Sequence, residues 1–147
     1  MALGDIKSPD FQLIYIDKGT GTLTAGIICA FDSSGNVIPA TASTLGKHGV
    51  YTGITHVVGA TTYYGILVKG KIVVKAAGAI KPNQLFESDS AGDAVVSSTT
   101  VSTTVTQAQV QELWHIVGRY VRKESDNQYN ASDSADDDTI IVDVGSW

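Results

Sequence analysis

Short apolar runs separated by turn residues dominate the first 87 residues of the chain. Four of them, at residues 11–16, 26–31, 50–58 and 63–68, are rich in β-branched and aromatic side chains. Runs of this length and composition are typical of strands, because such side chains pack well on a pleated surface. No alternation of strands with long helical patterns is visible, so the sequence predicts an all-β fold, a small β-barrel or β-sandwich with at most one short helix.

The turn residues predict how these strands connect. Asp, Ser, Gly and Asn at 32–36 favour a tight turn, after which residues 37–40 run back to form a hairpin. Pro39 lacks a backbone N–H and must lie at a strand end or a sheet edge. Residues 59–61 form a second turn, and Lys69-Gly70-Lys71 predicts an interruption before another short strand at 72–74.

The last third of the chain is more polar. Residues 88–107 are rich in Ser and Thr, too polar to be buried on both faces, and are expected to be an exposed strand or a loop. Thr106, with Gln109 three residues later, is the signature of a capping box at the start of one short helix. Residues 113–123 and 139–144 predict a closing hairpin whose loop is the acidic segment 124–138.

Residues 1–24 are expected to form an N-terminal arm, with a single β domain at 25–147 that includes the closing hairpin. The apolar run at 11–16 is followed by Gly19 and Gly21, which would act as a hinge. Such an arm could add an edge strand to the sheet of a neighbouring protein. Alternatively, it is simply the first strand of its own sheet, and the sequence leaves both possibilities open.

Composition narrows the class of partner. A length of 147 residues fits one domain, and the charged fraction of 17% is below the roughly 25% typical of soluble domains. A surface so poor in charge is weakly solvated, and we expect part of it to be covered by a partner. The net charge of −5 disfavours binding to nucleic acid. No signal peptide or membrane-spanning run is seen, so we expect a soluble chain made in a cytoplasm, without membrane contact.

The side chains that could carry chemistry are few. Three histidines, His48, His56 and His115, occur without a recognisable nucleophile motif, and Cys29 lies in an apolar run where it is expected to be a core residue. No phosphate-binding loop is present. The acidic segment lacks the glycine and spacing of a calcium loop and is expected to be a solvated loop. We therefore predict no catalytic residue, no metal site and no cofactor.

Two tryptophans are candidates for a self-association interface, because aromatic residues are enriched in interface cores. Trp147 is the better candidate because it is the last residue of the chain, and chain ends usually lie at the surface. For Trp114 the expected role is to fill its own core, and an interface position is the alternative.

A family resemblance adds a specific hypothesis. The run Ile-Ile-Cys-Ala-Phe-Asp-Ser-Ser-Gly-Asn-Val-Ile-Pro-Ala at 27–40 resembles the early hairpin of the head decoration proteins, or capsid cement proteins, of tailed bacteriophages. The segments at 50–55 and 61–73 follow in the order of the lambda-type members. The resemblance covers about residues 11–87 and implies the lambda-type, β-tulip-like decoration fold. The longer C-terminal part departs from the short lambda-type members and leaves the trimer contacts open.

The resemblance also implies a function. Proteins of this family are not enzymes; they commonly bind as homotrimers to the outside of the expanded capsid, with the arm along the major capsid protein. By position, the arm residues that would make this contact here are Phe11, Leu13, Ile14, Tyr15 and Ile16. The expected location is the outer surface of the virion, after synthesis in the cytoplasm of the bacterial host. Deletion of residues 1–16 should then abolish binding and leave the fold intact.

Two other classes of function remain as alternatives. One is a carbohydrate- or receptor-binding β-module of a virion spike or an adhesin, although such sites usually cluster aromatic side chains and here they are scattered along the sequence. The other is a hydrolase on a β scaffold, which only the three histidines favour.

Overall fold

The computed structural model describes residues 2–42, 48–98, 103–127 and 129–145. These residues form nine strands and one short α-helix, α1 (Gln107–Glu112), which is followed by a single 3₁₀ turn at Leu113–His115. The strands are β1 (Gln12–Asp17), β2 (Ile28–Phe31), β3 (Val37–Pro39), β4 (His48–Val58), β5 (Thr61–Ala77), β6 (Leu85–Ser88), β7 (Ala94–Val96), β8 (Ile116–Lys123) and β9 (Asp136–Val144). The prediction of an all-β barrel with one short helix is confirmed for this part of the chain.

The long strand β5 connects two sheets. Its first half pairs with β4 and β1, and its second half pairs with β9 and, through Ala76, with β7. The predicted interruption at Lys69-Gly70-Lys71 is therefore wrong. Gly70 has φ +127°, and a Cβ there would lie 2.9 Å from Cβ of Phe11. The glycine thus permits a close packing contact inside a continuous strand.

The second half of β5 belongs to a closed five-stranded barrel. The barrel runs β5–β9–β8–β6–β7 and closes with a parallel contact between Ala94 of β7 and Ala76 of β5. Its main core contains Ile72, Val74, Phe86, Tyr120, Ile140 and Val142, all fully buried. The predicted closing hairpin is confirmed as the antiparallel pair β8–β9, with two corrected boundaries. β8 begins at Ile116 because residues 113–115 form the 3₁₀ turn, and β9 begins at Asp136, within the segment predicted to be the loop. The sequence patterns did not predict β6. β7 lies within residues 88–107, which were expected to be an exposed strand or a loop, but its first residue, Ala94, is fully buried.

The other sheet has the order β3–β2–β4–β5–β1. One face packs on the main core through Ile28, Val50 and Leu67, and the other face builds a smaller core around Cys29 and Ile66. Cys29 is fully buried, as predicted, and burial raises the pKa of its thiol to about 12. Pro39 is the last residue of β3, at the end of the strand order, which confirms the position expected for it.

The segment at 11–16 is a strand of the chain's own sheet, the second of the two possibilities that the sequence left open. β1 pairs antiparallel with β5, with Ile14 opposite Ile66, and the preceding residues are also attached, since the N–H of Gly4 donates to the carbonyl of Val73 at 2.8 Å. Residues 2–24 therefore do not form an arm detached from the domain. The physical reason is that the first half of β5 offers an open edge to the same apolar strand that could have paired with a neighbour.

The expected hinge is also attached to the domain. The N–H of Gly19 donates to the carbonyl of Val37 at 2.8 Å, and a Cβ on Gly19 would lie 2.6 Å from Oδ2 of Asp32. Gly21 has φ +96°, and its carbonyl accepts a hydrogen bond from Nζ of Lys18 at 2.9 Å. In the structure, these glycines permit a tight connection between β1 and β2 rather than free rotation.

Candidate functional site

An apolar groove of about 630 Å³ lies between the second sheet and the start of β8. Strands β1, β2, β4 and β5 supply one side, and the 3₁₀ turn with β8 supplies the other. Its lining residues are Gln12, Ile14, Phe31, His48, Val68, Lys69, Trp114, Ile116, Val117 and Gly145. The groove is open and large enough to take side chains of a partner, which is a usual property of binding sites.

Trp114 is the most exposed large apolar side chain of the groove. The capping box predicted at Thr106 is present: the Thr106 hydroxyl accepts from the N–H of Gln109 at 3.3 Å, and the Gln109 side chain accepts from the N–H of Thr106 at 3.2 Å. The helix begun in this way leads into the 3₁₀ turn that carries Trp114, whose side chain is 52% exposed. The expectation that Trp114 fills its own core is therefore wrong.

The other predicted interface tryptophan, Trp147, lies outside the described residues. Gly145, two positions earlier, lines the groove.

The five residues predicted to contact a partner, Phe11 just before β1 and four residues within it, are divided between the groove, the core and the surface. Ile14 lines the groove together with Trp114, so the structure brings these two predicted residues to one site. Leu13 packs on the main core, and Ile16 packs on the smaller one. Phe11 and Tyr15 are each 49% exposed, and Tyr15 is on the opposite face of β1 from Ile14 because successive residues alternate along a strand.

A second candidate surface is the end of the hairpin formed by β4 and β5, which we call the projecting hairpin (residues 53–64). All residues from 53 to 60 are exposed. Three of them are large apolar residues with a high exposed fraction: Ile54 at 46%, Val57 at 62% and Val58 at 57%. The ring of His56 lies 5.9 Å from that of Tyr15, between centroids. Sequence reasoning identified this segment as a strand but gave no sign that it would extend beyond the core.

A bulge separates the projecting hairpin from the rest of β4. The pairing with β5 shifts between Tyr51 and Thr55, and Gly53 has φ +84°. The buried Thr52 hydroxyl donates to the carbonyl of Gly65 at 2.8 Å and accepts from the N–H of Ile54 at 3.2 Å. The side chain thereby satisfies backbone groups that the bulge removes from the ladder, which holds the hairpin in a fixed position.

The three histidines lie on separate elements of the part of the chain that the structure describes. His48 lines the groove, His56 is in the projecting hairpin, and His115 ends the 3₁₀ turn. Across residues 2–42, 48–98, 103–127 and 129–145, no group of three or more His, Cys, Asp or Glu side chains is arranged to hold a metal ion.

The carboxylates of the acidic loop make defined contacts within it. Asp126 accepts hydrogen bonds from the N–H and the hydroxyl of Ser132 and from the N–H of Lys123, at 2.9 to 3.2 Å. The backbone bond from Ser132 is the main reason that the pKa of Asp126 is lowered. Asp138 accepts from the N–H of Ala135 at 2.7 Å. Asp126 in the loop and Asp138 near the start of β9 therefore hold the loop in place, whereas Asp133 is exposed to solvent.

Comparisons of the whole chain with protein-family models, with curated proteins and with solved structures found no match. Within the described residues, no helix has the length and apolar character needed to cross a membrane.

Proposed function

We propose that this chain is a structural virion protein that binds the outside of an assembled phage capsid as a trimer and clamps neighbouring copies of the major capsid protein. The observation that carries the proposal is the groove in which Ile14 of β1 and the half-exposed Trp114 lie together. Large exposed apolar surfaces on a protein poor in charge are typical of interaction sites. The resemblance of residues 27–40 to decoration proteins is the reason for proposing the major capsid protein as the partner of this surface.

The fold changes how such a clamp would work here. Because β1 is already paired with β5 from Gln12 to Asp17, this segment is not a free arm that could lie along the capsid protein. The groove would instead receive side chains of the capsid protein, with Phe11 and Tyr15 as further contacts on the exposed parts of the same segment. No enzymatic step is involved in this role.

The trimer would stabilise the capsid because it binds the assembled shell and not its free subunits. A ligand that binds only one of two states stabilises that state by mass action. Three copies on one trimer also act together, so that weak individual contacts give strong attachment to a shell.

Co-sedimentation with expanded, undecorated shells tests the proposal. The wild-type protein is expected to sediment with the shells. Trp114→Ser is expected to weaken binding by about thirtyfold or more, since a buried interface tryptophan commonly contributes about 2 kcal/mol or more. Val105→Ser is the matched control, because Val105 is also exposed (55%) but does not line the groove. Failure of the folded wild-type protein to bind shells would refute the proposal.

The second candidate is a carbohydrate- or receptor-binding module. The exposed Trp114 shares the groove with the polar residues Gln12 and Lys69, which favours this candidate because such a groove can combine stacking with hydrogen bonds to a sugar. Glycan binding that Trp114→Ser abolishes, without affinity for shells, would support this candidate over the capsid protein.

A further inference from the structure

The projecting hairpin has an open backbone edge. β4 and β5 pair as Val58–Thr61, Val57–Thr62, His56–Tyr63 and Thr55–Tyr64 around a two-residue turn, with Gly59 at φ +62°. Since hydrogen-bonded and non-hydrogen-bonded pairs alternate from such a turn, the N–H and C=O of Thr55 and Val57 point away from β5. On this side of β4, pairing with β2 ends at Val50, and no other described strand pairs with the edge.

This edge lacks the usual protection against pairing with another chain. Exposed edges in native proteins generally carry charged side chains, proline or a bulge within the edge itself. Residues 55–62 contain no Asp, Glu, Lys, Arg or Pro, and the bulge lies before them at 52–54. Ile54, Val57 and Val58 expose apolar surface on both faces of the strand. The edge is therefore suited to strand addition.

We propose that this edge pairs with the same edge of a second copy of the chain, antiparallel about a two-fold axis at His56. In this register Thr55 lies opposite Val57 of the second copy, so that the outward-facing groups of both residues are satisfied. Ile54 lies opposite Val58 of the second copy, a pair of β-branched side chains of the kind that stabilises adjacent strands. The free stretch of the edge is thus complementary to itself.

The distribution of charge selects a second copy as the occupant. Each chain carries a net charge of −5, yet residues 48–68 contain no Asp, Glu, Lys or Arg. Two copies that meet through this hairpin bring no carboxylates together, whereas like charges opposite one another would destabilise the pair. A two-fold contact uses the same patch on both subunits. It is separate from the three-fold contact of the proposed trimer and does not depend on capsid binding.

A cysteine at the two-fold axis tests the register directly. His56 would occupy a non-hydrogen-bonded pair with its own counterpart, where Cα atoms are about 4.5 Å apart and a disulfide can form. His56→Cys is therefore expected to give a covalent dimer under mild oxidation. Val58→Cys is the control: Val58 is 57% exposed, but in this register the two copies of residue 58 are about 14 Å apart. The native Cys29 is fully buried.

A charge on the edge tests the association without any cross-link. Val57→Lys places like charges within the proposed pair and should halve the mass measured by sedimentation velocity, from dimer to monomer, or from hexamer to trimer where a three-fold contact also forms. Val105→Lys, at a valine of similar exposure away from the hairpin, should leave the mass unchanged.

Two results would overturn the proposal. One is that His56→Cys forms no more covalent dimer than Val58→Cys does. The other is that Val57→Lys keeps the wild-type mass. Because both measurements use the isolated protein, they are independent of whether shells are bound.

Discussion

At the scale of single residues, Ser134 joins the acidic loop to the barrel. Its hydroxyl donates to the carbonyl of Gly78 at 2.8 Å and accepts from the N–H of Ile80 at 2.9 Å. Its own N–H donates to the carbonyl of Ile80 at 2.9 Å. Both Ser134 and Ile80 are buried, so these bonds satisfy groups that water does not reach.

Ser134→Ala is expected to lower the free energy of unfolding by about 1–3 kcal/mol, because it leaves the buried N–H of Ile80 without its partner. For a domain of this size the melting temperature should fall by about 2–4 °C per kcal/mol. Urea denaturation measures the first quantity and calorimetry the second. Ser90→Ala, at an exposed serine, is the control. Equal stability of the two variants would contradict the role of Ser134.

The lowered pKa of Asp126 makes stability depend on pH in a defined direction. A carboxyl group whose pKa is lower in the folded than in the unfolded protein stabilises the fold at pH values above its ordinary pKa of 3.8, and this contribution is lost as the pH falls through the folded pKa. Asp126→Asn should therefore lower the free energy of unfolding at neutral pH. When the pH is lowered to about 2, the free energy of unfolding of this variant should fall by less than that of the wild-type protein. Asp133→Asn, at an exposed carboxylate of the same loop, should follow the wild-type curve.

At the scale of elements, the local sequence predicted turns and helix caps better than it predicted which strands pair. Turn residues located the hairpins β2–β3 and β4–β5, and Thr106 located α1, because turns and helix caps depend on neighbours in sequence. The partner of β1 could not be predicted, since an apolar strand suits any open edge. The continuity of β5 through Gly70 depends on packing against Phe11, a contact that no local pattern encodes.

The candidate site was the least predictable part for the same reason. Ile14 and Trp114 were singled out separately, but nothing in the sequence indicated that they would line one groove. Phe31 and Val68 were identified only as strand residues. A groove between elements is a property of how they pack, so its lining cannot be derived before the sheets are assembled.

The position of β1 changes what a truncation can show. Deletion of residues 1–16 removes most of β1, which pairs with the first half of β5. It therefore uncovers Ile66 and Leu67, which are fully buried. We expect it to lower the free energy of unfolding by more than about 3 kcal/mol, since each buried aliphatic side chain contributes about 1.5–3 kcal/mol. Loss of shell binding in this variant would then report unfolding and not the contact.

Tyr15→Ser is the better probe of the same element, because its side chain is half exposed. It should cost about 1 kcal/mol or less of stability, measured by urea denaturation beside the deletion. A deletion variant as stable as the wild-type protein would contradict the view that β1 is part of the fold.

At the scale of the whole molecule, charged residues are unevenly distributed along the chain. Residues 48–68 carry no formal charge, whereas six carboxylates lie between 124 and 138. The groove borders the uncharged part, and Lys69 is its one lining residue with a permanent charge among those described. Contacts made there would consequently gain little from Coulomb attraction.

Binding to shells should for that reason depend only weakly on salt. Raising the ionic strength from about 0.1 M to about 1 M shortens the Debye length from about 10 Å to about 3 Å and screens contacts between exposed charges. Affinity for expanded shells, measured by co-sedimentation, should change by less than about threefold over this range, because burial of apolar surface is not screened by salt. Lys69→Gln should give the same profile if its charge contributes little. A steep loss of affinity with salt in the wild-type protein would instead assign the contact to the charged surfaces around the acidic loop and exclude the groove as its main source.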